Sequence, residues 1–309
     1  MISLHILFKM GGTKEKRGFM SYMIFSDVSL DIDMEYAVEN DVHYVPMEYV
    51  LGDDTFYCEH PESNEMMHDY YDKLRNKVTT HTSQIGPYHY AAVFEPLIKK
   101  GESLLYICLS SGLSNTYQSA LLAVENLKDK YENVNIEVVD SLGATGGMGI
   151  LVESACENKK AGMTLKENAD WLREHALNVN YWFKVEDLMY LKRGGRVSAA
   201  TAVVGTALNI KPILYIDKNG KLDTIDKKRG NKLAIKAMLE RFEQAYDKEL
   251  TKTVYLSCAD CMDVAEELKT VLLSSHPELT VKITMLSPII GAHTGPDMLS
   301  LICYGKKRE

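Results

Sequence analysis

The sequence has no surplus of positive charge. Among 309 residues, 35 lysines and arginines face 43 aspartates and glutamates, for a formal net charge of -8. That balance opposes a general attraction to nucleic acid phosphates or anionic lipid headgroups. No apolar stretch approaches the roughly 20 residues that a membrane-spanning helix needs, so stable membrane insertion is not expected. Cys58, Cys108, Cys156, Cys258, Cys261 and Cys303 are scattered, mostly in apolar runs. They do not form the dense framework of a small secreted scaffold, and reduced thiols in a cytoplasm fit them best. There is no internal repeat, low-complexity tract, P-loop lysine pattern, kinase signature or Gly-x-Ser-x-Gly elbow. Small molecules and proteins are left as the partner classes, with no cofactor and no metal expected.

What is present suits a sizeable core: 46% hydrophobic and 25% charged residues, in a chain longer than one hydrophobic core usually serves. Residues 1–20, with Gly11-Gly12-Thr13-Lys14-Glu15-Lys16-Arg17-Gly18, read as a flexible extension. From Tyr22 onward, short apolar runs alternate with amphipathic stretches, the rhythm of a mostly parallel α/β sheet flanked by helices. The strands expected are 22–25, 43–50, 104–109 and 136–139, with helices over 63–77, from Pro87, and over 114–127 and 148–158. A polar break at 159–162 divides an N-terminal α/β domain, 21–162, from a C-terminal α/β domain, 163–309. In the second, Asn219-Gly220 between 213–216 and 222–225 predicts a hairpin and hence a mixed sheet.

Four clusters could carry chemistry. Thr79-Thr80-His81-Thr82-Ser83-Gln84 concentrates hydroxyls in an expected loop between two helices, either to bind an anion or to cap the next helix. Ser110-Ser111-Gly112-Leu113-Ser114 directly follows a buried strand and opens a helix, where ligands of open α/β sheets sit. The helix dipole favours an anion there, with Ser114 as N-cap or donor. Gly291-Ala292-His293-Thr294-Gly295-Pro296 reads as a turn-rich segment, and Arg193-Gly194-Gly195-Arg196 as a turn or hinge whose cations meet an anion, a partner or solvent.

Taken in order, Thr82-Ser83-Gln84, Ser110 through Gln118, Asp140-Ser141, Leu191 through Val197 and Gly291 through Pro296 resemble the successive signatures of the DegV fatty-acid-binding proteins, from about residue 22 to the C-terminus. The resemblance implies a two-domain DegV-like fold that binds a long-chain fatty acid such as palmitate, stearate or oleate, with its tail in an apolar tunnel. It implies that Thr82 and Ser114 meet the carboxylate, that Ser83, Ser111 and His293 belong to the same polar site, and that Arg193 and Arg196 lie on the surface beside its entrance. It also implies no catalysis by the chain itself, since some members present the acid to a separate fatty acid kinase subunit, which forms the acyl phosphate. The chain departs from the pattern at Val28, Ile85, Asn115 and Asp297; the last is expected to place a negative charge near the site and weaken anion binding.

Two other classes compete. A serine hydrolase would use Ser111 or Ser114 with His293 as base, although no acidic residue is an obvious orienter for that histidine. A redox protein would use Cys258-Ala259-Asp260-Cys261, which follows a strand and precedes a helix, but a lone CxxC lacks the second pair of a closed zinc site. Tyr181, Trp182 and Phe183 read as core.

Overall fold

The computed structural model describes residues 21–60, 63–198 and 209–308; the expected extension at 1–20 lies outside them. In the N-terminal half, β1 (Tyr22–Asp27) is followed by α1 (Met34–Glu39), β2 (Val42–Val45), β3 (Met47–Leu51) and β4 (Asp54–Cys58). Then come α2 (Asn64–Arg75), β5 (Thr80–Thr82), α3 (Pro87–Ile98), β6 (Ser103–Cys108), α4 (Thr116–Lys130), β7 (Ile136–Asp140) and α5 (Thr145–Lys160). The chain continues through α6 (Leu165–His175), β8 (Val179–Lys184), α7 (Leu188–Arg193), β9 (Ile210–Ile216), β10 (Leu222–Arg229) and α8 (Asn231–Ala245). It ends with β11 (Thr253–Cys258), α9 (Met262–Ser275), β12 (Thr280–Met285), α10 (Pro288–Thr294) and β13 (Leu299–Tyr304).

The mostly apolar strands β1 and β6 are buried on both faces except at Met23, as parallel strands under helices must be. They form a parallel sheet in the order β2-β1-β6-β7. Chain order reverses between β1 and β6, so the loops leaving their C-terminal ends diverge and open a crevice, the usual ligand position in such sheets. The second half is a mixed six-stranded sheet, β10-β9-β8-β13-β11-β12, and the expected hairpin at Asn219-Gly220 joins β9 to β10.

Three sequence expectations are corrected. The strand expected over 43–50 is two strands, broken at Pro46, which has no N–H to give a ladder. Its second part, β3, belongs to a small antiparallel sheet, β4-β3-β5, that the sequence did not reveal. Thr80–Thr82 is the third strand of that sheet, not a loop, and residues 288–294 are a helical turn started by Pro288 at its first position, not an irregular segment.

Helix α5 joins the halves. It contributes Met148, Leu151 and Val152 to the core under the parallel sheet, which also takes in Tyr181 of β8 and Tyr255 of β11. Its glycines permit that approach: a Cβ on Gly147 would lie 2.1 Å from Tyr181 Cε1, and one on Gly146 would lie 2.7 Å from Tyr255 Cβ. Leu165, Ala169 and Leu172 of α6 pack into this same core. The division expected at 162 thus falls between two helices that share this core.

Candidate functional site

A cavity lies where the crevice of the parallel sheet faces the mixed sheet, with about 760 Å³ of empty space counted out to its open mouth. Its walls are mostly apolar: Leu109 and Leu113 from the loop after β6, Ile216 and Leu222 from the hairpin, Ile289 and Ile290 from α10, and Met298 and Ile302 around β13. Tyr181 and Phe183 of β8 also line it, whereas Trp182 between them packs into the separate core beneath α8 and α9. This is the two-residue alternation of a strand whose faces serve different layers. All three aromatics are buried in core clusters, as expected, and Tyr181 and Phe183 also face the cavity.

The polar groups gather at one part of the wall. Thr82, at the end of β5, and His293, in the last turn of α10, are 211 positions apart in sequence, yet Thr82 Oγ1 and His293 Nε2 lie 2.8 Å apart. Burial, reinforced by the positive charge of Arg196, pushes the His293 pKa down to about 4, so the ring is neutral at pH 7. Its Nδ1 is buried without a partner among the described residues, hard against Gly194, where a Cβ would stand 2.2 Å away. Ser83 also lines the cavity, and its hydroxyl donates to Glu48 at 3.1 Å.

Ser114 lines the wall from the other side. Its Oγ lies 2.7 Å from Thr116 Oγ1 and accepts from the Thr116 amide at 3.2 Å. The residue at the N-cap of α4 is Asn115, which makes no side-chain capping bond, so Ser114 caps the helix from one position earlier. Arg196 is half-buried in the cavity wall, not on the surface beside it. Its Nε donates to the Leu113 carbonyl at 3.0 Å and another N–H to the Gly194 carbonyl.

The other expected residues stand apart. Ser111 is exposed and does not line the cavity; its amide donates to Asp140 Oδ1 at 3.1 Å. Arg193 is also exposed and outside the lining, with its guanidinium 4.5 Å from the centre of the Tyr190 ring. Asp297 brings no free charge to the site, because its Oδ1 accepts from Arg75 at 2.7 Å while its carbonyl accepts from the buried Lys184 at 2.7 Å. The sequence missed Thr145, which lines the cavity at the start of α5 with φ 56. No local signal marks it, since the strain of a left-handed threonine belongs to the backbone path.

This arrangement argues against the competing chemistries. His293 bonds a threonine rather than either serine, and no carboxylate orients its Nδ1 among the described residues. Cys258 and Cys261 are buried free thiols away from the cavity. Their mutual hydrogen bond holds the Cys258 pKa down and pushes that of Cys261 up. Among the described residues, no helix is long and apolar enough to cross a membrane.

Comparison with known proteins agrees with this geometry. The model of the DegV family of uncharacterised proteins matches residues 21–306. A DegV domain-containing protein of Clostridium perfringens is 32% identical over 288 residues, covering 93% of this chain and 99% of the relative. One of Streptococcus pyogenes serotype M3 is 34% identical over 290 residues, covering 93% and 99%. Among solved structures, a DegV family protein from Thermus thermophilus described by its fatty acid binding has a TM-score of 0.81 at 26% identity, covering 93% of this chain and 100% of its own. DegV of Bacillus subtilis, a fatty acid binding protein, has a TM-score of 0.79 at 26% identity, covering 92% and 99%. These neighbours are named for binding a lipid, not for catalysis.

Proposed function

This chain belongs to the DegV family, and from that premise we propose that it binds a long-chain fatty acid and catalyses no reaction itself. The observation that carries the reading is a largely apolar cavity whose lining includes Thr82, Ser114 and a neutral His293, with Thr82 and His293 in contact at a polar pole. The carboxylate takes that pole, with Ser83 and Arg196 bordering it. Threonine and serine hydroxyls donate to the carboxylate, and Arg196 adds a cation that a buried anion requires. The acyl tail lies along the leucines, isoleucines and aromatics toward β13.

The energies suit this division. Burying a tail of 16 to 18 carbons contributes roughly 0.8 kcal/mol per methylene, about 12 kcal/mol in all, against association costs of at least about 4 kcal/mol. Tail burial sets the strength and the polar pole sets the register. Ser111 and Arg193 lie outside the cavity and are not ligands in this reading; Arg193, on the exposed rim near Arg196, is left for contact with a partner. Presentation of the bound acid to a separate kinase subunit is part of the proposal and rests on the family resemblance. Six free, buried cysteines suit a reducing compartment such as the cytoplasm.

Organic extraction of the purified protein followed by mass spectrometry tests the reading. A fatty acid in near-stoichiometric amount is expected, and a folded protein that is repeatedly empty and takes up no added stearate would refute it.

A further inference from the structure

Asp31, in the loop after β1, is 3% exposed. Its Oδ1 accepts from the backbone N–H of Ser287 at 3.0 Å, across 256 positions of sequence, where α10 begins. From α2, Tyr70 and Tyr71 donate their hydroxyls to the carbonyls of Pro288 and Leu286, at 3.2 and 3.0 Å. Three bonds from the N-terminal half thus hold the first turn of α10, and six residues beyond Ser287 the same helix delivers His293 to Thr82. A helix of seven residues has no stability of its own, so its direction is set by what grips its ends.

We propose that Asp31 is a positioning residue for the polar pole: by fixing the N-cap amide of α10 it sets where His293 meets Thr82. The titratable groups that face it are Tyr44 of β2, Tyr71 of α2 and Cys258 of β11, and none supplies a positive charge. Its Oδ2 is buried without a partner among the described residues, as are the hydroxyls of Ser287 and Tyr44. Burial pushes its pKa up, with only the Ser287 amide opposing it, so the role of Asp31 here is that of an acceptor, its Oδ1 taking the Ser287 N–H. An asparagine keeps an acceptor oxygen at that place; an alanine does not.

The inference rests on the fatty-acid reading only for its ligand readout. The full chain labelled with ¹⁵N-histidine, its His293 signal assigned through His293→Gln, is compared as wild type, Asp31→Asn and Asp31→Ala. Affinities for stearate and for stearyl alcohol, which has the same tail and no carboxylate, are measured in parallel. Asp31→Asn is expected to keep the His293 ring-nitrogen shifts and the stearate affinity of wild type from pH 6 to 8. Asp31→Ala is expected to move those shifts and weaken stearate roughly tenfold, while stearyl alcohol changes less than about threefold. Unmoved His293 signals in Asp31→Ala, an equal loss for acid and alcohol, or an Asp31→Asn that loses stearate would each overturn the proposal. Where Asp31→Ala does not fold, Asp31→Asn decides by itself, because it keeps the acceptor. If wild type takes up neither lipid, the fatty-acid reading fails while the His293 signals still decide the role of Asp31.

Discussion

Replacing Gly194 with alanine separates the proposed site from general stability. At Gly194 φ is -70, an ordinary helical value, so by backbone entropy alone the substitution would stabilise the fold by roughly 0.4–1 kcal/mol. Space is what forbids it: the new Cβ would stand 2.2 Å from His293 Nδ1, 3.1 Å from Cε1 and 3.3 Å from Cγ. Comfortable contact begins near about 3.5 Å, and Thr82 at 2.8 Å closes off the Nε2 side. The ring must therefore rotate out of the pole, breaking its bond to Thr82. Loss of a bond whose partners stay buried costs about 1–3 kcal/mol, which makes fatty-acid binding roughly 5- to 150-fold weaker. The control is the next residue. Gly195 has φ 73 and nothing within 4 Å of its virtual Cβ, so Gly195→Ala destabilises the fold by roughly 1–2 kcal/mol through the backbone alone and leaves the ring untouched. Urea denaturation followed by tryptophan fluorescence gives the stability of each variant, and calorimetric titration with stearate gives its affinity. Wild-type affinity in Gly194→Ala, or an equal loss in Gly195→Ala, would refute the reasoning.

Thr82→Val keeps the shape of the side chain and removes only the hydroxyl, so stearate affinity should fall roughly 5- to 100-fold with little change in the urea midpoint; an unchanged affinity would remove Thr82 from the site. The pKa of His293 falls from near 6.5 to about 4 on folding, so its contribution to stability is present above pH 6.5 and is lost as pH drops toward 4, where the unfolded chain binds the extra proton. That loss amounts to about 3 kcal/mol at most, and urea titrations of wild type and His293→Gln across this window should converge as the pH falls; parallel curves would contradict the assignment. Arg75 donates to Asp72, Asp260 and Asp297 together, tying α2 to the loops flanking α9 and β13. Arg75→Met should therefore cost about 1–2 kcal/mol, more than an isolated surface pair contributes, and a stability within about 0.3 kcal/mol of wild type would show the network to be idle.

Buried parallel strands announce themselves as apolar runs, which is why β1 and β6, and the serine-rich loop after β6, could be placed from the sequence. The hairpin was legible for an equally local reason, the Asn219-Gly220 pair. The small sheet was not. Four of the five residues of β4 face solvent and β5 has only three, so neither carries a periodic signal. Ser111 and Ser114 look alike in sequence, and only the turn between them decides that one faces solvent and the other the cavity. The burial of Arg196 and the contact of His293 with Thr82 depend on chain segments far apart, so no window of sequence contains them. The turn signals around Gly291, Gly295 and Pro296 masked α10, whose glycine at 291 serves close packing against Tyr71, with a virtual Cβ 2.5 Å from its hydroxyl.

The small sheet has a consequence for how this cavity could change. Its strands fall between β2 and α3, with α2 between β4 and β5, and this stretch brings Met47, Thr82 and Ser83 to the cavity, whereas most of the apolar wall comes from the mixed sheet and α10. Two of the proposed head-group ligands, Thr82 and Ser83, therefore lie on a different length of chain from the apolar wall, while His293 shares α10 with Ile289 and Ile290. Substitutions confined to Thr82 and Ser83 are thus a direct route to a receptor for a different polar group on the same hydrocarbon, such as an amine or an amide, with α2, α10 and the mixed sheet left as they stand.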